Sequence, residues 1–265
     1  MFTRCSSTWF ERSNLSGHSK WSSIKHKKGA ADAKRGKLFS KLSRAVIVAA
    51  REGGADPTAN LALQNAIEKA RSYSMPKDNI ERAIAKGSGA DTEGTSFDTV
   101  VYEGYGPEGV AVLVEALTDN RNRTASDVRH AFSKHGGNLG TTGAVAWQFE
   151  RKALVLARAE GADEEELLLA AADAGADDVE LDGSSFVISG PPEALTAVRE
   201  AVEAAGFTVE SAELAMVPKV TVEIADEVIA RKVLRLVEGL EESDDVQDVY
   251  VNVDIPEAVL EAVAS

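Results

Sequence analysis

Asp178-Val179-Glu180-Leu181-Asp182-Gly183-Ser184-Ser185-Phe186-Val187-Ile188-Ser189 reads as two short strands, 178–182 and 185–189, meeting at Asp182-Gly183. An Asp-Gly pair between strand-like runs supplies the positive φ that a tight hairpin turn requires. Outward from the hairpin the pattern is symmetric. Upstream, a helix near 163–174 carries Asp163, Glu164, Glu165 and Glu166 in its first turn, where the helix dipole favours anions, and strand 153–157 precedes it. Downstream, a helix from Pro192 to Ala205 stops at Gly206, and strand 207–215 follows. The order βαββαβ is the split-βαβ, or ferredoxin-like, arrangement.

The flanks repeat that order. Strand 110–117, helix 125–135, strand 144–150, strand 219–224, helix 226–240 and strand 246–253 give a second βαββαβ unit, with 153–215 inserted at its middle β–β connection. Trp147 and Phe149 are expected on one face of strand 144–150 and Gln148 on the other. A further strand, 100–103, precedes the turn-rich Gly104–Gly109. Upstream of the polar linker 88–97 the period becomes helical. Phe39, Leu42, Val46 and Ala49 form one stripe; Leu63, Ala66, Ile67 and Ala70 a second; Ile80, Ala83 and Ile84 a third. Asp56-Pro57 and Met75-Pro76 read as helix starts, Gly53-Gly54 and Gly87 as helix ends. Three short amphipathic helices bury their stripes against one another. The expected fold is α+β: an N-terminal three-helix domain followed by two nested ferredoxin-like modules. The expected division is a disordered extension 1–16, a basic helical domain 17–90, an α+β domain 98–152 plus 216–255, and an inserted acidic α+β domain 153–215.

Charge is unevenly distributed along the 265 residues. The net charge is −14, yet residues 1–90 hold 17 Lys/Arg against 7 Asp/Glu, and residues 91–265 hold 12 against 36. Such asymmetry points to a basic interaction module on an acidic body. The single cysteine, Cys5, excludes an internal disulfide framework and a multi-cysteine zinc site. No apolar run approaches the roughly 18 residues needed to span a bilayer. The cytoplasm is the expected compartment, with mitochondria as the alternative if the Ser- and Arg-bearing residues 1–16 act as a presequence.

Lys20, Lys25, Lys27, Lys28, Lys34, Arg35, Lys37, Lys41 and Arg44 place nine cations within 25 residues, against one acid, Asp32. Neutralising phosphates releases condensed counterions and needs no defined register, so this segment is the candidate nucleic-acid contact. Trp21 reads as an anchor for the segment, with base stacking as the alternative. Arg121 and Arg123, in a loop entering a helix, are candidates for a secondary phosphate contact; capping by Asn and Thr is the competing reading of that loop. Gly136–Gly143 lacks the Gly-Lys-Ser/Thr ending of a phosphate-binding loop and reads as constrained backbone. No nucleophile elbow, metalloprotease motif or dinucleotide fingerprint is present, so no catalytic residue, metal or cofactor is expected.

Gly17-His18-Ser19-Lys20-Trp21-Ser22-Ser23-Ile24-Lys25-His26-Lys27-Lys28, then Asp32-Ala33-Lys34-Arg35-Gly36-Lys37, resembles the opening of the YebC/PmpR family. The likeness continues through Pro76–Ile80, Tyr102–Pro107, Thr118–Thr124 and Gly136–Gly140, in order along residues 17–255. Residues 1–16 depart from the family pattern. The resemblance implies three domains and a regulatory role. Bacterial members are regarded as probable DNA-binding transcriptional regulators; others activate translation on the ribosome, easing elongation through difficult sequences. DNA or ribosomal RNA, and with the latter the ribosome, are the implied partners; no membrane is.

Overall fold

A computed structural model describes residues 32–89, 97–159, 164–182 and 185–264. The N-terminal helices are α1 (Asp32–Gly53), α2 (Leu61–Ser72) and α3 (Lys77–Ser88). The three expected stripes meet in one core of Leu42, Val46, Ala49, Leu63, Ile67, Ala70, Ile80 and Ala83. The second helix starts later than Asp56-Pro57 suggests. Asp56 closes a turn on the backbone N–H and hydroxyl of Thr58, and the N-cap is Asn60, whose side chain accepts from Leu63 N. The buried Asn60 amide also donates to Ala49 O and Gly54 O, so one side chain fixes the α1–α2 corner. Gly87 lies inside α3 instead of ending it. A Cβ there would collide with the carbonyl of Ile47, so its lack of a side chain sets the close α1–α3 crossing.

The first α+β module comprises β1 (Asp98–Tyr105), β2 (Ala111–Thr118), α4 (Arg121–Lys134) and β3 (Asn138–Leu139). The chain then enters the inserted module: β4 (Phe149–Arg158), α5 (Glu164–Asp173), β5 (Asp178–Asp182), β6 (Ser185–Gly190), α6 (Leu195–Ala204) and β7 (Val209–Pro218). It returns through β8 (Val222–Glu223), α7 (Glu227–Glu241), β9 (Val246–Val251), β10 (Val253–Asp254) and α8 (Glu257–Ala264).

The inserted sheet runs β5-β6-β4-β7 with antiparallel neighbours, the ferredoxin-like order expected from the hairpin outward. The outer sheet runs β3-β1-β2-β9. Its pattern matches the same order except at two places. The position expected for strand 219–224 is filled by β1, and the later segment contributes only β8, paired in parallel with β10. β1 and β2 form a hairpin of eight consecutive pairs, and closing that short loop costs less entropy than recruiting a strand a hundred residues away. Strand 144–150 is likewise replaced. Residues Ala146–Gln148 form a 3₁₀ turn, because the buried Glu103 carboxylate takes the N–H groups of Gly143, Val145 and Ala146 that a ladder would need. Trp147 is consequently exposed while Phe149 is buried.

The two sheets stack face to face. Val110, just before β2, and Val112 and Val114 of β2 face α4 and α7, whereas Ala111 and Leu113 face Leu154, Leu156, Val187 and Val217 of the inserted sheet. Ala153, Val155 and Ala157 point the other way, towards α5 and α6. Covering both faces explains why β2 and β4 read as continuous apolar runs. α8, beyond the expected end of the fold, closes over α7 through Leu260.

Candidate nucleic-acid interface

Lys20, Lys25, Lys27 and Lys28 lie outside the described residues. Lys34 and Arg35 fall in the first turn of α1, and Lys37, Lys41 and Arg44 follow at four- and three-residue spacing, which puts these three on one helical face. Lys37 is exposed and has no ion-pair partner among the described residues. Further along, the face turns inward. Lys41 Nζ donates to Glu241 O at the C-terminal end of α7, 2.6 Å away, where the helix dipole favours a cation. The Arg44 guanidinium donates to Leu117 O, Asp244 O and the Asp245 carboxylate at 3.2, 2.7 and 3.0 Å, and lies over the Phe97 ring. Lys41 and Arg44, expected at phosphates, therefore tie the helical unit to the outer module. Their neighbours in space are carbonyls and carboxylates of the acidic body.

Asp245 is the centre of that tie. Its side chain is only 7% exposed and receives Arg44 at 3.0 Å, Arg123 at 2.8 Å and the Thr124 hydroxyl at 2.7 Å. Burial alone would push its carboxyl up; the hydrogen bonds from Arg123 and Thr124 and the charges of Arg123 and Arg44 outweigh burial and hold it below the usual carboxylate range. Arg123 also pairs with Asp119, and these bonds raise its already high pKa. Arg121 pairs with Asp98 at 2.8 Å. The Asn120 side chain caps α4 by accepting from Arg123 N, so the capping reading of this loop describes its geometry. A cleft of about 620 Å³ opens beside Asp245, between α4 and the C-terminal turn of α7, with Asp127, His130, Lys134 and Glu242 on its walls. Cations and carboxylates alternate there.

A second junction has no signature in the sequence. Lys69 of α2 lies 2.8 Å from Asp248 of β9 and 3.1 Å from Glu213 of β7, joining all three parts of the chain. Burial opposes its charge, but Asp248 and Glu213 more than compensate, and its pKa is raised. Burial together with Glu213 pushes the neighbouring Tyr73 hydroxyl above its usual value. Glu103 is a third polar centre that sequence reasoning passed over. Burial raises its pKa, and three backbone N–H donors reverse that, leaving it lowered. Glu103 and Gly104 are the two buried residues of β1, whose other positions are exposed or half-buried, and no periodic pattern in the local sequence marks the acid.

No group of three or more His, Cys, Asp or Glu among the described residues could hold a metal ion. No helix among them is long and apolar enough to cross a membrane. Together, a cation-rich N-terminal helical unit and two stacked α+β modules, joined by partly buried ion pairs, define a multi-module α+β protein in which described cations such as Arg44 and Lys69 serve as structural ties.

That layout has a named family. Residues 19–90 match the model described as the TACO1/YebC protein N-terminal domain, and residues 97–253 the one described as the TACO1/YebC second and third domain. A probable transcriptional regulatory protein of Rubrobacter xylanophilus is 58% identical over 250 residues, covering 94% of this chain and 100% of that protein. One of the same description from Syntrophobacter fumaroxidans is 52% identical with the same coverage. The crystal structure of a conserved hypothetical protein from Aquifex aeolicus matches with a TM-score of 0.80 at 52% identity, covering 90% of this chain and 98% of that one. This chain belongs to the TACO1/YebC family.

Proposed function

We propose that the protein is a non-catalytic, nucleic-acid-binding regulator that acts on DNA as a transcriptional regulator. The observation that carries the reading is the contrast among its cations. Arg44, Lys69, Arg121 and Arg123 each sit within 3.1 Å of at least one carboxylate. The segment from Lys20 to Lys37 has seven cations and one acid in its own sequence. Dense, carboxylate-poor positive charge is what phosphate neutralisation requires. The description carried by the relatives from Rubrobacter and Syntrophobacter, probable transcriptional regulatory protein, points the same way.

Ribosomal RNA is the second target, with activation of translation as the outcome. Lysines outnumber arginines seven to two in the basic set, and lysine is a point charge without the planar fork that reads base edges. Weak sequence preference suits a ribosomal site as well as DNA. Crosslinking in cells followed by sequencing of the bound nucleic acid tests both. Reads concentrated at promoters are expected for the first reading, and reads concentrated in ribosomal RNA would move the function to translation. Recovery no higher than from an untagged control would contradict nucleic-acid binding altogether.

A further inference from the structure

Trp147 is 68% exposed, on a loop built to hold it still. The Glu103 carboxylate accepts from Gly143 N, Val145 N and Ala146 N at 2.6, 2.7 and 2.7 Å, and Glu103 O accepts from Gly140 N at 2.7 Å. Gly143 takes φ +85°, a conformation that a side chain would strain, so the turn into this cage depends on glycine. The ring edges are already satisfied. Trp147 Nε1 donates to Ala144 O at 3.1 Å, and the hydroxyl of Tyr105, 37% exposed, donates to the same oxygen at 2.9 Å. With both polar tips on one carbonyl, what remains to offer is aromatic surface.

The surroundings narrow the partner. Thr141, Thr142 and Gly143, in the same loop, are exposed, and Lys219 and Val220 are exposed where the Lys219 N–H meets Gln148 O at 2.8 Å. A protein partner would need a patch of roughly 800 Å² per side with an apolar centre. A small aromatic surface on a loop with exposed hydroxyls, one ammonium and a single exposed valine nearby suits a flat, polar-edged ring whose chain carries negative charge. We propose that Trp147, with Tyr105 beside it, is a stacking platform for an unpaired nucleobase of a single-stranded nucleic acid, with Lys219 towards the adjoining phosphate. The platform rests on the nucleic-acid reading and deepens it. A base inside a duplex keeps its faces against its neighbours, so the platform selects single-stranded or looped segments.

The test uses the full chain and fluorescence anisotropy with a labelled 12-nucleotide single-stranded RNA, the same sequence as DNA, and its duplex. Trp147→Leu should weaken single-strand binding by about ten-fold or more, with Trp147→Phe retaining most of it. Duplex affinity and the salt dependence should stay unchanged. Loss on RNA alone would assign the platform to RNA; equal loss on both would assign it to the base face common to them. In a Trp9→Phe, Trp21→Phe background Trp147 is the one tryptophan left, and the single strand should quench its fluorescence while the duplex does not. Wild-type single-strand affinity in Trp147→Leu, with no quenching, would overturn the platform and leave nucleic-acid binding standing. A wild-type chain that binds neither strand nor duplex would remove both.

Discussion

The cations of this protein fall into two regions that composition alone cannot tell apart. In the first, Arg44 and Lys69 are held by Asp245, Asp248 and Glu213 at the seams between modules, and Arg123 is held by Asp245 and Asp119 within the outer module. In the second, from Lys20 to Lys37, seven cations stand with Asp32 as the sole acid in sequence. α1 belongs to both, since Lys37 is exposed near one end and Arg44 is enclosed about two turns further on. The difference teaches that a basic patch is defined by what is absent around it. A guanidinium bound to two carboxylates contributes to folding, and its charge is already neutralised for any phosphate that approaches.

The largest effect that would break this comparison is at Asp245. Asp245→Ala leaves Arg44 without its carboxylate in a half-buried seam and should cost about 3–5 kcal/mol of stability by chemical denaturation. A loss below about 1 kcal/mol would mean that the seam is not held by this charge. Glu103→Gln should cost about 2 kcal/mol, because an amide cannot accept from three backbone N–H groups as the carboxylate does. The same variant should also increase protease cleavage near Gly143.

Acidification separates the regions by sign. Asp245 and Glu103 are held below their ordinary pKa values in the folded chain. The stability they contribute is therefore complete above the unfolded carboxylate value, about 4, and is lost as pH falls through the lower folded values. Asp245→Asn should flatten that acid limb of the stability profile; an unchanged limb would exclude Asp245 as a source. The smallest effect is expected at Lys37. Lys37→Ala should leave stability within about 0.5 kcal/mol while making the salt dependence of nucleic-acid binding shallower by about 0.9.

How far the sequence carried depended on the range of the contacts involved. The inserted module is built from neighbouring segments, so the hairpin at Asp182-Gly183 and two flanking helices were enough to obtain its strand order. The outer module depends on competition between distant segments. Whether β1 or strand 219–224 fills the third position is decided by hairpin closure, and whether residues 144–150 extend is decided by a carboxylate forty residues upstream. Neither has a periodic signature. The site divides the same way. A cluster of cations is visible as composition, but Arg44 and Lys41 look identical in sequence to Lys37 until Asp245 and the end of α7 are placed against them. Lys69 has no signal at all, because its partners lie in two other modules.

The central claim is that the cations from Lys20 to Lys37, and not those held by carboxylates elsewhere in the chain, meet phosphate. Its most direct test is the slope of log K against log salt for duplex DNA, in the wild type and in a variant with Lys25, Lys27, Lys28, Lys34 and Arg35 all replaced by alanine. If about six phosphates are neutralised, the wild-type slope should be about −5, and the variant should fall to about −1 with unaltered thermal stability. A slope unchanged by the five substitutions would contradict the account and place the contact elsewhere on the chain.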